Sequence, residues 1–154
     1  MKDPVFHGLD TFEGMPENSE SEKYFKVGDF VGDYDDVLRK CANVGLVAPK
    51  IKLYKGLFDD SAPDLEKNVD TIAICNIDCD LYASTKSALK IAGPRFQIGT
   101  VVLFDDYNTF NANRDKGERR ALREFEQESG FLFEPWYSYA FSGQSFLIVG
   151  QNNS

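Results

Sequence analysis

Short apolar runs of strand length alternate along this chain with segments whose apolar residues recur at helical spacing, and that alternation constrains the fold more than any other feature. Residues 71–77 and 100–104 are nearly continuous apolar runs, the pattern of parallel strands buried on both faces. Between them Leu81, Thr85, Ala88, Leu89 and Ala92 fall on one helical face, and Gly93-Pro94 marks a stop. Upstream, residues 5–9 and 51–54 read as two further strands. Val37, Leu38, Cys41, Ala42 and Val44 predict a helix over 34–44, with Gly45 at its end. Residues 14–29 are polar and rich in Gly and Glu, as in a surface loop, and 59–68 predicts at most one short helix after Pro63. Downstream, 114–129 reads as a charged helix with Ala121, Leu122 and Phe125 inward and Gly130 beyond its end. Residues 131–139 and 145–149, separated by Ser142-Gly143, read as a terminal antiparallel pair. Alternating strands and helices imply an α/β fold built on a mostly parallel sheet.

Composition narrows the function classes. At 154 residues, with 42% apolar, 14% aromatic and 27% charged residues, the chain predicts a single globular domain over 1–154. A net charge of −8 without a basic stripe argues against nucleic acid as a partner. No run approaches the roughly 20 apolar residues that span a bilayer, so no membrane association is expected. Met1-Lys2-Asp3-Pro4 places an acid and a proline where a signal peptide needs an apolar stretch, which makes the cytoplasm the expected location. Cys41, Cys75 and Cys79 are odd in number and read as reduced thiols, and no CxxC or Cys/His cluster suggests zinc or an iron–sulfur centre.

The aspartates carry the chemistry. Run 71–77 ends in Asp78-Cys79-Asp80 and run 100–104 ends in Asp105-Asp106-Tyr107, with one helix between them. Adjacent strands lie about 4.8 Å apart, so carboxylates at their C-terminal ends can converge on one cation, at the edge where open α/β sheets bind ligands. Oxygen-only ligation suits a hard cation such as Mg²⁺. Plainer readings stand beside this one: Asp80 as the N-cap of the next helix, and Asp78, Asp105 and Asp106 as turn residues. Asp10, ending another strand, adds an acid that could accept hydrogen bonds from a ribose diol. His7, inside a strand, reads as a packed side chain rather than a general base, and the charged run 114–123 as a solvated helix face. Trp136, Tyr137 and Tyr139 read as sheet-filling aromatics, with a pocket wall as the alternative.

Five segments, GLDTFEGMPE (8–17), KGLFDDSAP (55–63), NIDCDLYASTKSAL (76–89), GTVVLFDDY (99–107) and GERRALREFEQESGFLFEP (117–135), resemble successive blocks of the macrocin O-methyltransferase (TylF-type) family. They follow that family's order and spacing over most of the chain. The resemblance implies a Rossmann-like class I methyltransferase: a three-layer sandwich with a C-terminal antiparallel hairpin, using S-adenosylmethionine and often a divalent metal to methylate a hydroxyl of a small molecule or sugar. Carried over by residue, Asp10 would bind the adenosyl ribose, with Phe58 and Asp59 near the adenine. Asp78, Asp105 and Asp106 would hold Mg²⁺ or a similar dication, which lowers the pKa of the acceptor hydroxyl and aligns it with the sulfonium methyl. Leu81 stands where related metal-dependent enzymes place a lysine, so no general base is assigned; metal activation alone, Tyr82 and Tyr107 stay open. A homo-oligomer is compatible with the family.

One departure shapes the expectation. The family pattern opens with a strand and a Gly-rich turn that hold the methionine part of the cofactor, whereas this sequence starts at the next strand and contains no GxGxG. In the family sheet order 3-2-1-4-5-7-6 that first strand is central. The sequence therefore predicts either an N-terminally truncated fragment with poor cofactor affinity or a rearranged sheet in which strands two and four close up. The competing functions are a metal-dependent phosphohydrolase and a non-catalytic α/β module that pairs with another chain.

Overall fold

A computed structural model describes residues 3–18 and 25–152. They fall into two compact units, Met1–Leu65 and Glu66–Ser154.

In the first unit, β1 (Phe6–Asp10) runs parallel to β2 (Ile51–Lys55), in a register from Phe6 opposite Ile51 to Asp10 opposite Lys55. Parallel pairing needs a crossover, and α1 (Tyr34–Asn43) lies in it. Its start is set by Asp33, whose side chain accepts the Asp36 N–H at 2.7 Å, and the left-handed Gly45 follows its end. No residue of α1 is buried, so the apolar spacing that predicts this helix does not seat it in a core. The base of the 14–29 loop is closed by Met15 N–H donating to the Asp29 carbonyl and Gly28 N–H donating to that of Met15. Residues 19–24 of that loop lie outside the described residues. His7 is a packed side chain: Nδ1 lies 3.0 Å from the Tyr54 hydroxyl and the rings stack.

The short helix expected after Pro63 is instead an eleven-residue helix, α2 (Phe58–Asn68), with Pro63 inside it. An interior proline deletes one backbone donor and costs about 3 kcal/mol in an isolated helix. Here the buried Leu65, two residues beyond Pro63, anchors the helix past the missing donor.

The second unit holds a four-stranded sheet in the order β3 (Ile74–Ile77), β4 (Val101–Phe104), β6 (Gly143–Gln151) and β5 (Phe131–Tyr139). β3 and β4 are parallel, and the β4–β6 and β5–β6 ladders are antiparallel. Together with β2-β1, these orders are the two flanks of the order implied by the resemblance. Among the described residues β1-β2 and β3-β4-β6-β5 are two separate hydrogen-bonded sheets.

Helices α3 (Tyr82–Ala92) and α4 (Gly117–Ser129) supply Leu89, Ala92, Ala121 and Leu122 to a core with Ile77, Val102, Phe104, Phe146 and Ile148. Gly93 is not a left-handed stop. It continues into a 3₁₀ turn, and a Cβ there would come within 2.5 Å of the Phe125 ring.

Two expectations change in this unit. Run 71–77 does not form a central strand buried on both faces: only 74–77 is strand, it lies at the sheet edge, and Ile74 is 69% exposed. The core lies on the face that carries Ile77, so an apolar run that suggests two covered faces has one covered within the unit. Trp136 and Tyr137 do not fill the sheet. Both are about two-thirds exposed on β5, an edge strand whose register shifts between Pro135 and Tyr137.

Candidate functional site

The β3–β4 ladder continues one step beyond the strands, because Asp105 N–H donates to the Ile77 carbonyl at 3.0 Å. That bond brings the two acidic strand ends side by side. Asp78, Asp105 and Asp106 each offer a carboxylate oxygen, and these oxygens lie within 4.8 Å of one another. Asp78 is exposed and the other two are half-buried, so the cluster opens to solvent.

Three elements hold the Asp105–Asp106 turn. From α4, Glu118 Oε2 accepts the Asp106 backbone N–H at 3.0 Å. From the β5–β6 turn, the Ser142 hydroxyl donates to the Asp105 carbonyl at 2.9 Å, while the Ser142 carbonyl accepts the Asn108 backbone and side-chain N–H groups. The Thr109 hydroxyl donates to Asp106 Oδ1.

Asp80 does not cap α3. Leu81 occupies the N-cap position, and Asp80 sits before it in the left-handed region at φ 60°. Burial pushes the Asp80 carboxyl up to about 8, helped by its hydrogen bond with Asp106 and the charges of Asp106, Asp78 and Asp105. Gly117, at φ 50°, opens α4; a Cβ there would meet the Phe110 ring at 2.7 Å and the Asp80 carbonyl at 3.4 Å.

Burial also drives Glu118 well above the carboxylate range, with the Asp106 charge adding to it and the bond from the Asp106 N–H partly offsetting it. Tyr139 is pushed up to about 12 by burial and by the charges of Asp105, Glu118, Asp78 and Asp106. Its buried hydroxyl has no hydrogen-bond partner, and neither has Glu118 Oε1. The electrostatic character is therefore that of a concentrated negative field around an all-oxygen donor set. Such a set fits a hard divalent cation, whose charge offsets the repulsion.

The other expected site residues belong to the first unit. Asp10 ends β1, exposed, with Oδ1 accepting the Phe12 N–H at 2.5 Å. Its carbonyl accepts the Gly56 N–H at 3.0 Å, which sets the β2–α2 turn beside it, and α2 opens at Phe58 and Asp59.

Sequence reasoning missed Glu118, assigning it to a solvated helix face. Glu118 is fully buried. The signal was present: Glu118, Ala121, Leu122 and Phe125 are spaced i, i+3, i+4, i+7 on the inward stripe of α4. Ser142 and Thr109 gave no such signal, since their roles arise from loops meeting in space.

Comparison with known proteins identifies the family of this α/β chain. The macrocin-O-methyltransferase (TylF) family matches residues 2–134, and the chain belongs to that family. A curated relative, the 8-demethyl-8-(2,3-dimethoxy-alpha-L-rhamnosyl)-tetracenomycin-C 4'-O-methyltransferase of Streptomyces olivaceus, is 31% identical over 114 residues, covering 69% of this chain and 42% of the relative. The chain thus spans less than half the length of that protein. Among solved structures, the O-methyltransferase NovP superposes with a TM-score of 0.76 at 22% identity, over 97% of this chain and 62% of NovP. An O-methyltransferase from Bacillus cereus in complex with SAH superposes with a TM-score of 0.59 at 16% identity, over 95% of this chain and 63% of that one.

Proposed function

We propose that this chain is part of an S-adenosylmethionine-dependent, Mg²⁺-assisted O-methyltransferase that acts on a hydroxyl of a small molecule or sugar in the cytoplasm. The observation that carries the reading is the approach of Asp78, Asp105 and Asp106 to within 4.8 Å at the C-terminal ends of two parallel strands. These three residues would hold the dication. The chemistry supplied by a bound dication is to lower the pKa of an acceptor hydroxyl and fix the resulting oxyanion.

The protein's own contribution is orientation. Glu118, Ser142 and Thr109 set the Asp105–Asp106 turn from three directions, so the carboxylates are arranged before any ligand arrives. The Tyr139 hydroxyl is buried without a hydrogen-bond partner and feels the negative charge of these carboxylates, which together with burial raises its pKa to about 12. In the first unit, Asp10 would accept hydrogen bonds from the ribose of the cofactor, with Phe58 and Asp59 beside the adenine. The adjacency of the β2–α2 turn to Asp10 supports that assignment. Support also comes from the curated relative, whose name gives it a methylated sugar position, and from the SAH complex of the Bacillus cereus protein.

Isothermal titration with Mg²⁺ tests the reading. Dication binding by the chain, abolished in Asp105→Ala, is expected. Equal binding by Asp105→Ala, no binding by the parent, or phosphatase turnover would overturn it.

A further inference from the structure

We infer that Glu118 is a positioning residue: by accepting the Asp106 N–H it fixes the turn that presents the Asp105 and Asp106 carboxylates. The ligand role of those carboxylates rests on the proposed function; the contact itself does not.

Strand β4 ends at Phe104, and its ladder to β3 extends only as far as the first of the two acids, Asp105. Their successive amides are then tied to different elements. Asp105 N–H goes to the Ile77 carbonyl of β3 at 3.0 Å, and Asp106 N–H to Glu118 Oε2 of α4 at 3.0 Å. The Asp105 N–H lies in the 104–105 peptide plane and the Asp106 N–H in the 105–106 plane, so the two tethers orient the planes on either side of the Asp105 Cα and thereby the turn from which both side chains project. Thr109 and Ser142 act on the Asp106 side chain and the Asp105 carbonyl, and leave the Asp106 amide to Glu118.

Stability alone does not account for a carboxyl at this position. Glu118 is fully buried on the stripe that carries Ala121 and Leu122, and its Oε1 has no partner. A buried polar atom without a hydrogen bond costs free energy, so an apolar residue would serve the core better. What an apolar residue cannot do is hold the amide of Asp106. Gly117, whose Cβ would clash with Phe110, lets α4 begin close enough for Glu118 to reach that amide.

The test uses the 154-residue chain, isotope-labelled, as the parent, Glu118→Gln and Glu118→Leu. In the parent, an NMR hydrogen-bond coupling from the Asp106 amide nitrogen to the Glu118 side-chain carboxyl carbon is expected, and needs no variant. Its absence would overturn the inference. Glutamine keeps an acceptor oxygen, so Glu118→Gln should retain slow exchange of the Asp106 amide and bind Mn²⁺ within about threefold of the parent. Glu118→Leu should lose that protection and bind Mn²⁺ at least about tenfold more weakly while keeping its far-UV spectrum. A folded Glu118→Leu with a protected Asp106 amide and parental Mn²⁺ affinity refutes the role. Should Glu118→Leu not fold, the coupling and the Gln rescue decide. A parent that shows the coupling yet takes up no Mn²⁺ sinks the proposed function and leaves the positioning contact standing.

Discussion

Arg120 of α4 lays its guanidinium over the ring of Tyr82 on α3, 3.9 Å from the centroid, and both side chains turn to the carboxylate of Glu124. Tyr82 donates to Oε2 at 2.6 Å and Arg120 to Oε1 at 2.9 Å, with Lys86 a third donor at 3.1 Å. The two helices that carry the core are thus clamped on their outer side by one carboxylate.

The clamp predicts an acid-sensitive increment of stability. Hydrogen bonds from Tyr82 and Arg120, then Lys86, hold Glu124 down to about 2, from an ordinary value of 4.5. A depressed folded-state pKa stabilises fully above the unfolded value and is lost as the pH falls from 4.5 toward 2. With Glu124 at the surface, solvent screening leaves about 1 kcal/mol of it. Urea unfolding should therefore show Glu124→Gln less stable than the parent by about that amount at pH 7, with the gap shrinking near pH 2.5. A gap of constant size would refute the assignment.

The β5–β6 hairpin predicts a pair of opposite effects. The Tyr139 hydroxyl is buried without a partner, so Tyr139→Phe should be neutral or stabilising by up to about 1 kcal/mol in thermal melts. Opposite it, a Cβ on Gly143 would fall 2.5 Å from the Tyr139 ring. Gly143→Ala should cost about 1–3 kcal/mol, and Gly143→Ala combined with Tyr139→Ala should cost less than the sum of the two changes. Additive losses would show that the ring and the glycine are not in contact.

Gly130 ends α4 at φ 72°, and a side chain there would also collide with the Asn152 carbonyl. Its own carbonyl accepts the Asn152 N–H at 2.8 Å. Gly130→Ala should lower stability by more than about 1 kcal/mol, whereas the same exchange at Gly99, also at positive φ but with open space around it, should cost only the backbone strain. Equal losses at both positions would remove the collision from the explanation.

Burial pushes the Cys75 thiol up to about 12, and burial together with the Glu118 charge raises Cys79 well above its ordinary value. Thiolate is the reactive form, and a thiol with a pKa near 12 is only about 10⁻⁴ ionised at pH 8. Mass spectrometry after exposure to an aromatic disulfide reagent should find Cys75 and Cys79 unmodified in the native chain and modified in urea. Rapid native labelling of either would contradict the raised thiol pKa values.

Much of the fold was legible because it depends on periodicity. The strand-helix alternation, the 34–44 helix with its Gly45 stop and the 131–139 strand of the terminal hairpin all follow from local spacing and stop residues. Failures came where coverage or context decides. Pro63 interrupts a helix only if burial does not hold it together, and Leu65 beyond it is buried. An apolar run reads as central until the packing reveals which of its faces is covered, as Ile74 illustrates.

The sequence by itself determined that two strands joined by one helix would each end in aspartates, because strand length and apolar content are written in consecutive residues. Only the tertiary structure decided what surrounds those aspartates. Glu118 follows Asp106 by twelve positions and Ser142 follows Asp105 by thirty-seven, yet both hydrogen-bond the same turn. Hydrogen bonds are short and directional, so which distant side chain satisfies a given amide depends on how helix and hairpin pack, and no local pattern encodes that.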